Sequence, residues 1–308
     1  MRWVRVFAIA GSTSKRCKPM NVIDCKAISK HWRRIVKEKI AELGFHPGLA
    51  VILVGNDPAS MTYVNNKKKA CSEVGVHSEI LYMSEESTTA EVISAVRRFA
   101  ERDDINGVMV QLPLPKHIDA NRVIDAIPAE KDVDALTPES MGRLMLGETT
   151  FAPCTPSGVV SILKCTVSSL AGLNVVIVGR SNIVGKPLAA MLTKENATVT
   201  LCRSKTEHLP EITKQADIVI SAVGKPNFIT ANMIAHGTVV VDVGINRTDD
   251  GKLAGDVCFD EVKKIAGAIT PVPGGVGIMT VTMLLNNTYI AALAQSQFKN
   301  RENKRSRL

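Results

Sequence analysis

The most informative segment of this chain reads Val175-Val176-Ile177-Val178-Gly179-Arg180-Ser181-Asn182-Ile183-Val184-Gly185-Lys186-Pro187. Its β-branched residues predict a buried strand that ends at Gly179, and Gly185 begins an apolar helix. A strand, a tight glycine turn and a helix N-terminus form a pyrophosphate site, because backbone N–H groups and the helix dipole favour an anion. The spacing departs from the usual G-x-G-x-x-G pattern, so an ordinary turn between strand and helix is the alternative interpretation.

Basic residues follow the next predicted strand. Arg203, Ser204 and Lys205 occupy the region where an NAD site usually has an acid for the ribose 2′-hydroxyl. Together with Arg180 they suit a 2′-phosphate, through charge-assisted hydrogen bonds. A solvated basic strand end is the alternative, and the pattern favours NADP as the cofactor.

Length and composition indicate an α/β protein with two domains. The chain has 308 residues, of which 45% are hydrophobic and 4% aromatic, and this length accommodates two domains of ordinary size. Many valine, isoleucine and alanine residues suit parallel sheets. Since no uninterrupted apolar run reaches the length of a membrane span, no membrane partner is expected.

The net charge of +8 is concentrated at the two ends of the chain. Residues 1–20 carry +5 and residues 299–308 carry +4, which leaves the body near −1. This distribution argues against a folded basic face and against a nucleic-acid partner. We expect a flexible basic extension over residues 1–20 and a disordered basic tail over residues 299–308. The predicted location is cytoplasmic, with a mitochondrial location as the alternative because the N-terminus is rich in arginine and lacks acids.

The seven cysteines are scattered and odd in number, which favours neither a disulfide framework nor a metal site. They are interpreted as reduced, mostly buried thiols. The six histidines show no paired-ligand spacing, and no metal is predicted.

Predicted strands and helices alternate along the chain, as in parallel sheets with crossover helices. A first helix begins after Asp24 as its N-cap and is expected to bury Ile28, Trp32, Ile35 and Ile40. The prolines of Pro153-Cys154-Thr155-Pro156 mark the change of domain. The last predicted helix starts at Met279, after a glycine-rich loop, and is expected to return to the first domain. The other predicted elements are strands at 50–55, 79–83, 107–111, 175–179, 198–202, 217–223 and 238–243 and helices at 58–74 and 88–101.

Candidate catalytic side chains come from the first domain. Tyr63 and Lys67 are four residues apart on one helix and therefore share a face. Gln111 ends the third strand, and Asp134 lies on the connection beyond it. Side chains at the carboxyl ends of parallel strands meet at one edge, so that Lys67, Gln111 and Asp134 are predicted to share a site. A lysine there acts as a base only if burial lowers its pKa, whereas a paired aspartate raises it.

Several motifs occur in one order over residues 21–296 and together resemble the methylenetetrahydrofolate dehydrogenase/cyclohydrolases of the FolD type. They are Tyr63-Val64-Asn65-Asn66-Lys67, Val110-Gln111-Leu112-Pro113-Leu114-Pro115, Lys131-Asp132-Val133-Asp134, Pro153-Cys154-Thr155-Pro156, Val178-Gly179-Arg180-Ser181 and Pro271-Val272-Pro273-Gly274-Gly275-Val276-Gly277.

The resemblance implies an N-terminal α/β catalytic domain, a Rossmann-like NADP-binding domain and a folate cleft between them. The implied bounds are 21–157 for the catalytic domain, 158–278 for the NADP domain and 279–298 for the returning helix. The implied activity is the NADP-dependent oxidation of 5,10-methylenetetrahydrofolate, followed by hydrolysis of the methenyl product to 10-formyltetrahydrofolate. A homodimer and a place in the one-carbon metabolism that supports purine biosynthesis are implied as well.

The resemblance also assigns roles to individual residues. Lys67 resembles the catalytic lysine and Gln111 its partner. Tyr63 resembles the residue that packs on the aminobenzoyl ring, and Asp134 the carboxylate that reads the pterin. Pro273, Gly274 and Gly275 complete the implied substrate site. The implied cofactor-binding residues are Thr155, Gly179, Arg180, Ser181, Ile183, Gly185, Arg203, Ser204 and Ile245.

Two departures from the family pattern and three alternatives stay open. Ile278 stands where the family usually has proline, and Cys25 where it usually has glycine. A short-chain dehydrogenase also uses a Tyr-x-x-x-Lys pair, but there the pair follows the nucleotide turn, whereas Tyr63 precedes Gly179. An amino-acid dehydrogenase with a leading substrate domain explains the architecture but not the segment after Gln111. A catalytically inactive nucleotide-binding module is the remaining alternative.

Overall fold

The computed structural model describes residues 22–149, 151–248 and 251–305, without the side chains of Ala59 and of 299–305. Contacts divide the described residues into two compact units. The three-stranded unit comprises Ser29–Cys154 and the chain from Thr280 onward. The five-stranded unit comprises the residues up to Ile28 and Thr155–Met279. The expected extension over residues 1–20 lies outside the described residues.

Helices and strands alternate through both units. The helices are α1 Cys25–Ala41, α2 Pro58–Val74, α3 Thr89–Ala100, α4 Ala120–Asp125, α5 Pro138–Leu146, α6 Cys154–Thr166, α7 Gly185–Lys194, α8 Leu209–Lys214, α9 Phe259–Val262 and α10 Val276–Arg305. The strands are β1 Gly48–Val54, β2 His77–Met83, β3 Gly107–Val110, β4 Asn174–Val178, β5 Thr198–Cys202, β6 Ile218–Ser221, β7 Val239–Asp242, β8 Asn246–Arg247, β9 Leu253–Ala254 and β10 Ala268–Ile269.

The three-stranded unit contains a parallel sheet in the order β2-β1-β3. Every residue of β1 is buried, as expected for the central strand of a sheet covered on both faces. Helix α3 packs Val92, Val96 and Phe99 into the same core. Its N-terminus is fixed by a capping box, in which Thr88 and Glu91 satisfy each other's backbone N–H groups. A further bridge from Val108 to Asp132 extends the sheet at the β3 edge.

The five-stranded unit contains a parallel sheet in the order β10-β7-β6-β4-β5. The chain passes from β4 to β5 at one edge and then crosses to β6 on the other side of β4. This reversal between β4 and β6 is the topological switch point, where open α/β sheets bind ligands beyond the carboxyl ends of the strands. The predicted two-domain α/β fold is therefore confirmed.

Helix α1 begins where it was predicted, because the Asp24 carboxylate accepts a hydrogen bond from Ala27 N at 2.9 Å. The predicted apolar stripe is only partly right. Ile40 is buried, but Ile28, Trp32 and Ile35 are half-buried. The buried face contains Ser29 and Val36 instead, since the helix is rotated by about one position relative to the predicted stripe.

Helix α10 packs within the three-stranded unit from Thr280 onward, which confirms the predicted return of the C-terminal helix to the first domain. The hydroxyls of Ser29 on α1 and Thr282 on α10 lie 2.8 Å apart. The expected disordered tail over 299–308 is wrong for residues 299–305, which continue the helix to Arg305. Lysine, arginine and glutamate are good helix formers, and cations near a helix C-terminus complement its dipole.

The segment Val276–Phe298 of α10 is long and apolar enough to cross a membrane, with a mean hydropathy of 1.4 over an 18-residue stretch. However, 67% of that stretch is buried within the structure. A core helix that is apolar on most sides has the same composition, and burial accounts for it here.

Candidate active site

Lys67 lies at the centre of the candidate site in the three-stranded unit. Helix α2 begins at Pro58 because Asp57 caps it, accepting a hydrogen bond from Ser60 N at 2.8 Å. Tyr63, Lys67 and Cys71 then follow at intervals of four and share one face of the helix. Lys67 is only 8% exposed, which is rare for a lysine and marks it as a functional candidate.

The Lys67 ammonium has two partners from the end of β3. Its Nζ donates to Gln111 Oε1 at 2.8 Å and lies 3.5 Å from Met109 Sδ. The backbone N–H of Gln111 donates to Ile52 O at 2.9 Å, which fixes the chain at the sheet edge. Gln111 Nε2 donates to Leu112 O at 2.6 Å, so the amide presents its oxygen to the lysine. The predicted proximity of Lys67 and Gln111 is thus observed in the structure.

Asp134 lies on a short segment that the neighbouring Asp132 shapes. The buried Asp132 carboxylate accepts hydrogen bonds from Leu136 N at 3.2 Å, Thr137 N at 2.9 Å and Ser140 Oγ at 2.7 Å. These contacts fold the chain tightly between the sheet edge and the start of α5. Asp134 is half-buried and lies close enough to Lys67 for the two charges to alter each other's pKa.

Burial and charge act against each other at this pair. Burial lowers the pKa of Lys67, and the Asp134 carboxylate partly opposes that shift. Burial raises the pKa of Asp134, and the Lys67 ammonium opposes that shift in turn. Each group therefore keeps the other more highly charged than burial alone would allow. A lysine with a lowered pKa and a glutamine oxygen beside it can hold a water molecule and accept its proton.

The sequence interpretation missed two further members of the cluster, Cys154 and Asn287. Cys154 Sγ lies 3.4 Å from Val133 O, and burial raises the pKa of its thiol. Asn287 on α10 donates from Nδ2 to Val133 O at 2.8 Å and to Ala152 O at 2.9 Å. Both residues lie far from Lys67 in sequence. Cys154 belongs to the quoted motif Pro153-Cys154-Thr155-Pro156, but its thiol was given no role there, and nothing in the local pattern of Asn287 marks it as a neighbour of the site.

The glycine turn of the five-stranded unit has the close packing that a dinucleotide site requires. Gly179 has a φ of 127°, and a Cβ there would lie 2.2 Å from Ala222 O. A Cβ at Gly185 would lie 2.0 Å from Gly179 O. Only glycine fits at either position, so helix α7 starts directly against the turn. Ser181 Oγ accepts from Val184 N at 3.2 Å, and no side chain caps the first turn of α7.

The basic residues of the predicted 2′-phosphate site lie at the same sheet edge. Strands β4 and β5 pair in register up to Val178 and Cys202, and Gly179 N donates to Cys202 O at 3.0 Å. Arg180 and Ser204 therefore each lie two residues beyond paired positions. Arg203 and Ser204 are exposed, and the turn that carries them is closed by a bond from Arg203 N to Thr206 Oγ1 at 2.9 Å. The residues predicted for the 2′-phosphate therefore lie at neighbouring positions along one sheet edge.

The other predicted site residues are distributed over the five-stranded unit. Thr155 is the second residue of α6, and the exposed Ile245 follows β7. A Cβ at Gly277 would lie 3.2 Å from Ile245 Cδ1, so the start of α10 packs near Ile245. Pro273–Gly275 form the turn that precedes α10.

The described residues contain no group of three or more histidine, cysteine or acidic side chains that could hold a metal ion. The six cysteines within the described ranges are free; four are buried, Cys258 is half-buried and Cys165 is exposed.

Comparisons with known proteins identify both halves of the chain. The family model for the catalytic domain of tetrahydrofolate dehydrogenase/cyclohydrolase matches residues 23–134. The model for the NAD(P)-binding domain of the same family matches residues 153–296. The bifunctional protein FolD of Lysinibacillus sphaericus (strain C3-41) is 53% identical over 274 residues, which cover 88% of this chain and 96% of that protein.

Solved structures agree with these matches. The bifunctional FolD methylenetetrahydrofolate dehydrogenase/cyclohydrolase of Campylobacter jejuni has a TM-score of 0.85 and 45% identity, covering 91% of this chain and 99% of that one. The Trypanosoma brucei enzyme, solved in complex with NADP cofactor and inhibitor, has a TM-score of 0.85 and 38% identity, covering 89% and 97%.

Proposed function

This chain belongs to the tetrahydrofolate dehydrogenase/cyclohydrolase family. From that premise we propose which of its residues bind the substrate, bind the cofactor and catalyse the reaction. It is a bifunctional enzyme of one-carbon metabolism that oxidises 5,10-methylenetetrahydrofolate with NADP and hydrolyses the methenyl product to 10-formyltetrahydrofolate. The short-chain dehydrogenase and amino-acid dehydrogenase alternatives are therefore not retained.

The proposal for the hydrolytic step depends on one observation: the buried Lys67 Nζ contacts Gln111 Oε1 at 2.8 Å with Asp134 nearby. Gln111 orients a water molecule toward the methenyl carbon, and the neutral Lys67 amine accepts the proton that the water loses as its oxygen forms the new C–O bond. The added hydroxyl then loses its proton to become the formyl carbonyl as the C–N5 bond breaks, and N5 takes the bonding electron pair and a proton to become N5–H. The Lys67 ammonium supplies the proton for N5, the hydroxyl proton is released to solvent, and Lys67 is left neutral.

The remaining residues bind and orient the substrate and the cofactor. Tyr63, one helical turn before Lys67, packs on the aminobenzoyl ring, and the Asp134 carboxylate accepts hydrogen bonds from the pterin. The residues that hold the cofactor are Thr155, Gly179, Arg180, Ser181, Ile183, Gly185, Arg203, Ser204 and Ile245. NADP⁺, when bound, accepts a hydride from the methylene carbon between N5 and N10.

An absorbance assay tests this function. Purified protein is mixed with methylenetetrahydrofolate and NADP⁺, and the appearance of the methenyl product is followed together with its decay. We expect formation that depends on NADP⁺, and faster decay than without protein. Methenyltetrahydrofolate added directly then isolates the hydrolytic step. A protein that produced no methenyl compound under these conditions would contradict the assignment.

We also propose an assembly and a location for this chain. We propose a homodimer, as the family resemblance implies, in the cytoplasm without a membrane partner, and no nucleic-acid partner, because the excess positive charge resides in the terminal segments. Sedimentation of the purified protein tests the dimer. A fluorescent reporter fused to residues 1–20 tests the location, since mitochondrial import of the reporter would favour the alternative.

A further inference from the structure

A single buried carboxylate, that of Asp256, organises the loop that follows β6. Asp256 is fully buried, with 0% exposure. Its Oδ2 accepts hydrogen bonds from Val223 N at 2.7 Å and Gly224 N at 3.2 Å, and its Oδ1 accepts from Lys225 N at 2.9 Å. Three consecutive backbone N–H groups therefore converge on one side chain.

Two side chains complete the set of donors to Asp256. Ser221 Oγ at the end of β6 lies 3.2 Å from Oδ2, and Asn246 Nδ2 at the start of β8 donates to Oδ1 at 2.9 Å. The Asp256 carboxylate therefore accepts five hydrogen bonds, three from backbone N–H groups and two from side chains. The fit is close, because a Cβ at Gly244 would lie 2.2 Å from Asp256 Oδ1.

A second buried carboxylate holds Asp256 itself. Asp242, the last residue of β7, is 3% exposed. Its Oδ1 accepts from Asp256 N at 3.0 Å and from Gly244 N at 2.9 Å, and its Oδ2 accepts from Val257 N at 2.9 Å. The ends of β6 and β7 and the β8–β9 hairpin are thus joined through two acids.

The loop that Asp256 fixes forms one wall of the crevice at the switch point of the sheet. Ala222 N donates to Val178 O at 2.8 Å, and the missing Cβ of Gly179 leaves room for Ala222 O. The loop after β6 therefore lies directly against the glycine turn after β4. An open α/β sheet binds its ligand in the crevice between these two loops.

The order of the strands determines which part of the cofactor meets this loop. In our proposed function the 2′-phosphate lies at Arg203 and Ser204 after β5, and the pyrophosphate lies at Gly179 after β4. Strand β6 is on the other side of β4 from β5. The dinucleotide continues across the sheet in that direction, so its nicotinamide half reaches the loop after β6.

We propose that Asp256 is a positioning residue for the nicotinamide half of NADP, acting through the backbone of residues 222–225. The N–H groups of Val223, Gly224 and Lys225 are directed to the carboxylate, which leaves the loop with one fixed shape before the cofactor binds. A preformed wall of this kind lowers the entropic cost of ordering the nicotinamide and keeps its reactive face in one orientation.

This inference depends on the proposed function, and the two activities of that function supply an internal control for it. Oxidation needs the nicotinamide, whereas hydrolysis of added methenyltetrahydrofolate involves no electron transfer. The test variant is Asp256→Asn, which preserves the shape of the side chain but replaces one acceptor oxygen by an NH₂ group facing N–H donors. The matched control is Asp217→Asn at the opposite end of β6, where the carboxylate accepts one bond from Asn174 N at 2.8 Å.

We expect Asp256→Asn to raise the KM for NADP⁺ by at least about tenfold and to lower the kcat of oxidation, with hydrolysis within about twofold of the unsubstituted protein. The ratio of NADP to NAD activity stays unchanged, because Arg203 and Ser204 are not disturbed. Asp217→Asn leaves both activities unchanged. An unaltered KM for NADP⁺, or equal losses of oxidation and hydrolysis, overturns the inference.

A milder variant covers the case in which Asp256→Asn does not fold. Ser221→Ala removes a single hydrogen bond to the same carboxylate, and we expect a smaller increase in the KM for NADP⁺ with hydrolysis retained. No increase in that variant overturns the inference. If the unsubstituted protein fails to reduce NADP⁺, the proposed function fails, whereas an active protein with an unaffected Asp256 variant refutes this inference alone.

Discussion

Replacing Lys67 by methionine is the most direct perturbation of the proposed hydrolytic site. Methionine has a similar length and shape but neither donates a proton nor accepts one at physiological pH. Lys67 is 8% exposed and touches Gln111 and Met109, so an apolar side chain can occupy the same space. The substitution therefore removes the amine with little change in packing.

The structure gives a magnitude for both consequences of this substitution. Gln111 Oε1 loses a donor at 2.8 Å, and an acceptor left unsatisfied costs about 1–3 kcal/mol. Removing a buried ammonium recovers its desolvation cost, which offsets both this loss and the loss of the cation beside the half-buried Asp134 carboxylate, so the stability of the fold should change by less than about 2 kcal/mol. General acid–base catalysis typically contributes about 10²–10⁴-fold. The hydrolysis rate should fall by that factor, which corresponds to about 3–5 kcal/mol of activation free energy.

The assay follows the decay of methenyltetrahydrofolate, with thermal unfolding measured on the same samples. Lys68→Met is the matched control, because Lys68 is the next residue of α2 and is exposed. We expect the control to retain its hydrolysis rate and the Lys67 variant to lose it while unfolding cooperatively near the same temperature. Hydrolysis by Lys67→Met within about threefold of the unsubstituted protein would refute the role of Lys67.

Three further predictions follow from the two sites. Replacing Arg180 and Ser204 by alanine should raise the KM for NADP⁺ by about tenfold or more while changing that for NAD⁺ little, because only NADP⁺ carries the 2′-phosphate; steady-state kinetics with both cofactors measure this, and equal effects would refute the assignment. Tyr63→Ala should raise the KM for the folate whereas Tyr63→Phe should not, since the ring provides the contact; equal KM values would contradict the stacking role. The hydrolysis rate should rise with pH, with a midpoint below 10.5, because burial lowers the pKa of Lys67 and the neutral amine is the base. Asp134→Asn should move that midpoint to lower pH, since the Asp134 carboxylate raises the pKa of Lys67. An unchanged midpoint would show that the pH dependence belongs to another group.

The fold was largely predictable because several of its strands are buried on both faces. Strand β1 is a continuous run of apolar residues, which is how the central strand of a parallel sheet differs from an amphipathic helix. Helix α2 has the predicted bounds because Asp57 caps its start and Gly75 ends it in a left-handed conformation, with a φ of 91°. The bounds of these two elements depend on residues within or directly beside them, so they can be predicted from the local sequence.

Elements whose ends depend on long-range packing were predicted less well. Helix α10 was expected to start at Met279, because glycines before it are typical of a loop, yet it starts at Val276 and includes Gly277. A glycine inside a helix costs about 1 kcal/mol, which tertiary packing can outweigh. The stripe of α1 was misplaced for a similar reason, since the partner that covers a helix selects its buried face.

The candidate site residues also differ in whether local sequence or long-range packing brings them together. Lys67 and Gln111 could be paired from the sequence, because parallel strands bring their carboxyl ends to one edge. Asn287 could not, since its partners Val133 and Ala152 precede it by 154 and 135 positions. The role of Asp256 could not be predicted from the sequence for a different reason. An aspartate beside a glycine is typical of an ordinary turn, and only the convergence of backbone N–H groups on its carboxylate, seen in the structure, distinguishes Asp256.

The charges around Lys67 connect the two proposed reactions. Oxidation converts an uncharged methylene group into a methenyl cation, and a cation facing Lys67 disfavours the ammonium form of that residue. Burial already lowers the pKa of Lys67, so the new charge acts in the same direction and favours the neutral amine when water must be activated. The Asp134 carboxylate raises the pKa of Lys67 and therefore stabilises its ammonium form before oxidation, when no base is needed. The protonation state of one lysine can therefore follow the charge of the folate, which explains how a single buried amine serves a site that holds a neutral substrate first and a cationic one next.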